Sequence, residues 1–339
     1  YPNPNAFNTS TIRHYGGKLM GYGQCPVCGI GCGVTGTLYA EGASAGLSHE
    51  PVTLNNVSYA SIAARTTPNR PDVDIPVNLL ELRDIPKLVQ LAGRSLLGKV
   101  AGANLCYNFG WAPLLGDLAK LWEFSKYYDR RVKNIRGLSK ANGIRRKITL
   151  DEKTAVRQRN VNVSTIHGVW FTSPETTVTN VKRWASIRWK YKAGYVPPPP
   201  GSSAEHWMAV QAVLGLHPSS ILSAAWEAIP FSWLADWFGN IGDHLMLTRN
   251  GIPVVPSGFA CVMTHSKTLR IMGGVTSQSM PHVSFEQMTS FLETKNRTVV
   301  TGLSLEASMP EFNLWQLGIL GSLTVLKAEA WSGKRIPKV

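Results

Sequence analysis

The chain has 339 residues, 44% of them hydrophobic, and its 35 Lys and Arg against 21 Asp and Glu give a formal net charge of +14. These values exclude an intrinsically disordered chain and predict a globular protein with one large or two ordinary domains. No apolar run is long enough and free enough of polar residues to predict a membrane span.

The first 70 or so residues predict strands and turns, because Gly, Ser, Thr and Asn are abundant there and extended stretches such as GVTGTLYAEG recur. Helical patterns begin near Asp84, which with Pro86 gives a start signal. A further helix is predicted to start at Pro113 and to run towards Arg136, with an apolar stripe at helical spacing.

Three cysteines, Cys25, Cys28 and Cys32, lie close together in CPVCGIGCG. Their spacing looks like the cluster-binding start of molybdenum formate dehydrogenases, but an iron–sulfur cluster needs four thiolates and the other cysteines, Cys106 and Cys261, are distant. A zinc site with His49 as fourth ligand and a disulfide formed outside the cell are two further interpretations. We expect free thiols, with no metal site and no cofactor.

Two glycine-rich stretches match nucleotide-binding spacings without the required context. GRSLLGKV, at 93–100, lacks the hydroxyl residue that binds magnesium, and GCGVTG, at 31–36, does not stand between a strand and a helix. Neither a GxSxG elbow nor an HExxH helix occurs in the sequence. Asp236 and Glu227 are expected to cap or to form salt bridges, so the sequence predicts no catalytic residue and no enzyme.

The positive charge is concentrated between Lys126 and Lys192. This stretch holds 17 Lys and Arg against four Asp and Glu, which leaves +13 of the total +14 in one fifth of the chain. Near its end, Ile187, Trp189 and Tyr191 alternate with basic residues, which predicts a strand with one aromatic face and one basic face. A basic cluster of this density is the electrostatic footprint of nucleic-acid binding, and it also fits a solvated basic surface.

The remaining elements follow a stiff linker at Pro197–Pro200. Helices are predicted over 208–216, 221–229 and 232–247, and strands over 252–275. Two capping boxes, Ser284 with Gln287 and Ser308 with Glu311, predict helices after them. Helical and extended blocks therefore interleave without a regular βαβ order, which predicts an α+β fold whose two regions are each built from discontinuous segments.

Two unusual segments resemble levivirus maturation proteins, the attachment proteins of single-stranded RNA phages. The first is FGWAPLLGDL and the second is WEAIPFSWLADWF. The residues on which the resemblance rests are Phe109, Gly110, Trp111, Pro113, Leu114 and Asp117 in the first segment, and Trp226, Glu227, Pro230, Phe231, Trp233, Asp236 and Trp237 in the second. Most of these are expected to be packing residues, because aromatic side chains at helical spacing are usually core.

The resemblance implies a helical bundle region joined to an elongated antiparallel β region. We expect residues 1–75, 144–200 and 252–282 to form the β region, which would face the host and attach to its pilus. Residues 76–143, 204–250 and 284–330 would form the helical region on the capsid and RNA side. The resemblance further implies one copy per virion, coat protein and pilin as partners, and entry of the viral genome together with the protein.

RNA contact is expected from two basic groups. The first choice lies on the Pro113 helix and the connection after it, and comprises Lys126, Arg130, Lys133, Arg136, Lys140, Arg145, Arg146 and Lys147. The second choice comprises Arg188, Lys190 and Lys192, and the implied ligand is the 3′ part of the genomic RNA with its hairpins. The alternatives are a non-viral basic RNA-binding protein and a metal-binding oxidoreductase built on Cys25, Cys28 and Cys32.

Overall fold

The structure, a computed structural model, describes residues 6–24, 31–38, 47–75, 96–164, 170–217, 236, 240–276, 282–302 and 314–332. Helices and antiparallel sheets are both extensive in this part of the chain, which confirms the predicted α+β class. None of the helices described is long and apolar enough to cross a membrane.

The helices cluster around the middle of the chain and near its end. They are α1 Tyr59–Thr66, α2 Leu96–Cys106, α3 Ala112–Trp122, α4 Phe124–Leu138, α5 Ser203–Leu214, α6 Ile241–Leu247 and α7 Leu314–Ser332, and a π-helical turn, Tyr107–Trp111, joins α2 to α3. The strands are β1 Phe7–Tyr15, β2 Gly17–Gln24, β3 Gly31–Leu38, β4 Ile144–Ser164, β5 Trp170–Tyr191, β6 Val254–Pro256, β7 Phe259–Met272, β8 Val275–Thr276, β9 Val283–Phe285 and β10 Met288–Thr301.

These strands form two sheets. The larger has the order β1-β10-β7-β5-β4 with β6 beside β5, and the smaller has the order β3-β2-β9-β8. Side chains of β4 pair with side chains of β5, and the residue numbers fall along β5 as they rise along β4. These pairs fix the antiparallel register of the two strands. They are Glu152–Lys182 at 2.9 Å, Thr154–Asn180 at 2.6 Å, Arg159–Glu175 at 2.7 Å and Asn162–Thr172 at 2.8 Å.

The described residues divide into two compact units. The first unit draws on Tyr1–Val57, Lys147–Ser186 and Cys261–Val300, and the second on Ser58–Arg146, Ile187–Ala260 and Thr301–Val339. Each unit therefore consists of separated segments, as the alternating blocks of the sequence predicted, and the divisions at 146/147 and 186/187 fall within strands β4 and β5.

The interior of the first unit combines an aromatic pair with hydroxyl side chains. Phe171 is fully buried and meets Phe285 edge-to-face at 4.7 Å between ring centroids. His49 contacts the hydroxyls of Thr268 at 2.7 Å and Thr294 at 2.8 Å through its two ring nitrogens. Burial lowers the pKa of His49, so the neutral imidazole is favoured.

This environment bears on the predicted zinc interpretation. Both nitrogens of His49 already face hydroxyl groups, which leaves neither directed at a metal. Cys32 lies in β3, whereas Cys25 and Cys28 fall outside the described residues. Among the residues that the structure does describe, no three His, Cys, Asp or Glu side chains cluster as metal ligands do.

The second unit has an apolar core, and a buried arginine beside this core forms several hydrogen bonds. Ile62 of α1 and Ile135 of α4 are almost completely buried, and Trp189 of β5 is 2% exposed with its indole N–H donating to the Thr66 hydroxyl at 3.2 Å. Ser58 caps α1, because its side chain accepts a hydrogen bond from the backbone N–H of Ser61 at 3.0 Å.

This arginine is Arg131 of α4. Its guanidinium is 4% exposed and donates to Asp72 at 2.6 Å, to the carbonyl of Pro68 at 2.8 Å and to the carbonyl of Arg70. All of these acceptors lie in the irregular segment 67–74, so one side chain of α4 fixes a stretch of chain that has no helix or strand of its own.

Several predicted elements are confirmed. The helix predicted over 208–216 lies within α5 and its C-terminal turn, and the strands predicted over 252–275 are β6, β7 and β8. The last seven residues predicted for the helix at 232–247 are α6. The predictions at Asp84, at 221–229 and at the capping box of Ser308 lie outside the described residues, although the helix expected after that box is present as α7.

Three predictions about local structure are wrong. The capping box at Ser284 does not start a helix: residues 288–292 alternate between buried and less buried positions in strand β10, and this period of two overrides the cap signal. A helix, α1, interrupts the strands predicted over the first 70 residues. The helix predicted from Pro113 towards Arg136 breaks at Glu123, where the backbone leaves helical geometry, and becomes α3 and α4.

We expect that the substitution Arg131→Ala lowers the free energy of unfolding by about 3–5 kcal/mol, because it leaves a largely buried carboxylate and two carbonyls without the donor that Arg131 provides. The neighbouring substitution Lys133→Ala, at an exposed position, is the control and is expected to change that free energy by less than about 0.5 kcal/mol. Urea titration of both variants measures the difference, and equal stabilities would contradict the role assigned to Arg131.

Candidate nucleic-acid interface

Helix α4 has a buried face and a basic face on opposite sides. Arg131, Ile135 and Leu138 recur at helical spacing and are buried. At 100° per residue, Lys126, Arg130 and Lys133 lie on the other side of the helix, and all three are exposed. Together with three neighbours they line a shallow groove, whose full lining is Glu123, Ser125, Lys126, Asp129, Arg130 and Lys133.

The groove is electrostatically mixed. Three cations face two carboxylates, Glu123 and Asp129. The ammonium of Lys126 donates to Glu123 at 2.9 Å, and this hydrogen bond raises the pKa of Lys126, so the side chain is charged at neutral pH. The guanidinium of Arg130 lies 5.1 Å from the centre of the Tyr127 ring, which holds it along the helix by a cation–π contact.

Arg136 of the predicted RNA-contact set is half exposed but binds a buried carboxylate of the second unit. Its guanidinium forms a two-pronged pair with Glu205 of α5, with both N–O distances at 2.8 Å. Glu205 is 1% exposed and also accepts from the backbone N–H of Gly201 at 2.7 Å. The hydrogen bond from Arg136 lowers the pKa of Glu205 to about 2, so the carboxylate is charged throughout the neutral range.

Arg146, another member of that set, binds backbone carbonyls of the second unit. Its guanidinium donates to the carbonyls of Thr66 and Thr67 at 3.4 and 3.2 Å. Burial lowers the pKa of Arg146 to about 10, the reverse of what an exposed phosphate-binding arginine shows. Arg146 and Trp189 both reach Thr66, so both belong to the packed side of the sheet end.

The other predicted contact residues differ in exposure. Lys140 and Arg145 of the second unit are exposed, and so is Lys147 of the first unit, whose ammonium lies 4.4 Å above the Trp184 ring. The alternation predicted for the end of β5 is confirmed, with Ile187 and Trp189 buried. On the opposite face Lys192 is exposed, whereas Arg188 and Lys190 are half-buried and Arg188 donates to the carbonyl of Asn142 at 3.2 Å.

Several further bases of the stretch 126–192 also have acidic partners. These ion pairs are Arg131–Asp72, Arg157–Glu50, Arg159–Glu175, Lys182–Glu152 and Arg183–Asp151. A count of charges along the sequence could not separate them from the cations of the groove. It included Asp129 among its four acids but missed Glu123, which precedes the stretch, although the spacing of Glu123 three residues before Lys126 is the ordinary signal for a pair on one helix face.

The structure describes the backbone of the whole first segment of family resemblance but only one residue of the second. Phe109, Gly110 and Trp111 lie in the π-helical turn, while Pro113, Leu114 and Asp117 lie in α3. The second segment lies outside the described residues except for Asp236. The Asp236 carboxylate accepts a hydrogen bond from the backbone N–H of Gly242 at 2.9 Å, which is a capping contact at the start of α6.

Comparison with known families gives one match. The model of the family described as phage maturation protein matches residues 80–278, which is more than half of the chain and includes the groove, both resemblance segments and strands β4–β7. No curated protein matches the chain.

We expect the pair Arg136–Glu205 to make stability depend on pH in the acid range. The folded pKa of Glu205 is about 2 and its ordinary value is 4.5, so the stabilisation is complete above pH 4.5 and is lost as the pH falls towards 2. Thermal unfolding of the wild type and of Glu205→Gln between pH 2 and 6 measures this effect. The difference between the two proteins should shrink on acidification, and a constant difference would contradict the assignment.

Proposed function

The chain belongs to the phage maturation protein family, which gives it a phage maturation role and associates it with the virion, and on this premise we propose that it is the attachment protein of a single-stranded RNA phage. One copy takes a place in the coat-protein shell, holds the genomic RNA and binds a host pilus, after which the RNA enters the cell. The family match favours this proposal over a non-viral RNA-binding protein and over a metal-binding oxidoreductase.

The basic side of α4 is the observation that supports RNA binding best. Lys126, Arg130 and Lys133 span eight residues, about 10 Å along the helix, and all are exposed on the side away from the buried face of α4. Ammonium and guanidinium groups in such a row suit successive phosphates of one strand. Lys140 and Arg145, which are exposed in the same unit, extend the proposed contact set.

Arg136 and Arg146 are excluded from that set. Withdrawing Arg136 from Glu205 would leave a buried carboxylate without its cation, and withdrawing Arg146 would remove the donor that its guanidinium provides to the carbonyl of Thr66. Arg188 and Lys190, being half-buried, are secondary candidates beside the exposed Lys192. Substitution of Arg136 or Arg146 therefore tests folding and does not test RNA binding.

A patch of exposed apolar side chains in the first unit supports contact with a protein partner. Tyr15 of β1 and Phe291 of β10 are 54% and 41% exposed and meet edge-to-face at 5.8 Å between ring centroids. Ile12, also exposed, pairs with Leu292 and therefore lies on the opposite face of these strands from Tyr15 and Phe291. We assign host attachment to the β region that contains this patch, because aromatic side chains are enriched where proteins bind one another.

The variant Lys126→Gln/Arg130→Gln/Lys133→Gln tests the RNA assignment. A single-stranded phosphate contact contributes roughly 0.7 to the slope of log affinity against log salt, so losing three lowers that slope by roughly 2. The matched control is Lys182→Gln/Lys267→Gln/Lys295→Gln, which removes the same charge from exposed strand positions of the first unit. RNA binding over a salt series, with crosslinking in intact particles, provides the measurement.

Only the groove variant is expected to lose affinity and genome crosslinks. If both variants weaken RNA binding equally, the groove is no more than part of a general positive surface. If neither changes binding or genome retention, α4 does not contact the RNA.

A further inference from the structure

Trp122 is the most exposed large apolar side chain that the structure describes. It ends helix α3, and 94% of its surface is open to solvent. An indole ring of this exposure presents a broad apolar face with no packing role inside the unit. Its position matters because the next residue, Glu123, is the first that lines the basic groove of α4.

The other aromatic rings beside the groove are already in use. Tyr127 lies beneath the guanidinium of Arg130, and Tyr128 stacks on the His206 ring with the two planes 6° apart. Trp122 differs from both in its exposure. The break at Glu123, where the backbone has φ −93° and ψ 22°, separates Trp122 from the regular turns of α4, and Trp122 directly precedes the first residue that lines the groove.

Because the groove carries acids as well as bases, the attraction of phosphates alone can supply only a limited part of the RNA affinity. Glu123 and Asp129 offset two of the three cations, and Lys126 is already bonded to Glu123. A second, uncharged contribution to affinity would come from stacking, because every base has an aromatic face and stacking on tryptophan tolerates all four bases. A duplex hides those faces within its own stack, whereas an unpaired strand exposes them.

We propose that Trp122 is a stacking platform for an unpaired nucleotide of the RNA whose neighbouring phosphates lie along Lys126, Arg130 and Lys133. The inference rests on the RNA-binding function proposed above and makes it more specific: the groove selects single-stranded RNA, such as a hairpin loop, over a continuous duplex. Trp122 supplies affinity that does not depend on salt, and the three cations supply the part that does.

The test uses the full chain, a 12-nucleotide uridine oligomer, an abasic oligomer of the same length and a duplex RNA. Trp122→Ala is expected to weaken uridine-oligomer binding roughly 5- to 100-fold, with an unchanged salt slope. Binding of the abasic oligomer and of the duplex should stay the same, since neither offers a base face. Trp122→Phe should retain binding within a few-fold, whereas Trp122→Leu, apolar but not aromatic, should behave like Trp122→Ala.

The control is Trp315→Ala, which removes another half-exposed tryptophan of the same unit, one whose indole N–H donates to Asn108 at 3.2 Å. It is expected to leave binding of all three oligomers unchanged. Circular dichroism melting of each variant checks the fold, which an exposed side chain should not affect.

The outcomes separate a failure of the RNA-binding function from a failure of the stacking inference. If the wild type binds none of the oligomers, the RNA-binding function and the stacking inference are both overturned. If the groove variant loses binding while Trp122→Ala does not, RNA binding stands and stacking is overturned. Full binding by Trp122→Leu, or equal losses in Trp122→Ala and Trp315→Ala, would also overturn the stacking platform, because the aromatic ring at this position would then have no special part.

Discussion

A buried guanidinium needs partners, and this constraint at Arg131 decides how α4 is oriented. Three acceptors in the segment 67–74 meet the Arg131 side chain, so the face that also carries Ile135 must turn inward. Arg136 then reaches Glu205 and ties α4 to α5. Arg131 is thus held in the interior and half-exposed Arg136 is held by an ion pair, and the cations that line the groove lie on the outward side of α4.

The basic stretch of the sequence is therefore two populations of side chains. Arg131, Arg136 and Arg146 stabilise the second unit, and the cross-strand pairs of β4 and β5 hold a long antiparallel hairpin in register. The other population lies on the outside of α4 and in the connection after it. Part of the high positive charge therefore forms ion pairs and hydrogen bonds within the fold, and RNA contact is proposed only for the outward-facing part.

How far the sequence predicts this structure depends on the range of the interaction. Local patterns predicted α5, the strands from 252 to 275 and the two faces of β5 at Ile187 and Trp189. Helical period and strand alternation depend only on residues that are close together in the sequence. The partners of Arg136 and Arg146 are 69 and about 80 residues away, and no local signal marks them. At Ser284 two local signals conflict, and pairing of β10 with distant strands prevails over the capping box.

The two proposed surfaces also differ in their relation to the family match. The groove of α4 lies within the matched residues 80–278, whereas Tyr15 and Phe291, the exposed aromatic pair of the first unit, lie outside them. On the proposed function, the groove would meet RNA through phosphates and base faces, which every RNA offers, and the aromatic pair of β1 and β10 would meet a protein. The match includes strands β4, β5 and β7 but omits helices α1 and α7, which belong to the second unit. Its bounds therefore do not separate the two proposed tasks, and the distinction between them rests on the charges and exposed side chains.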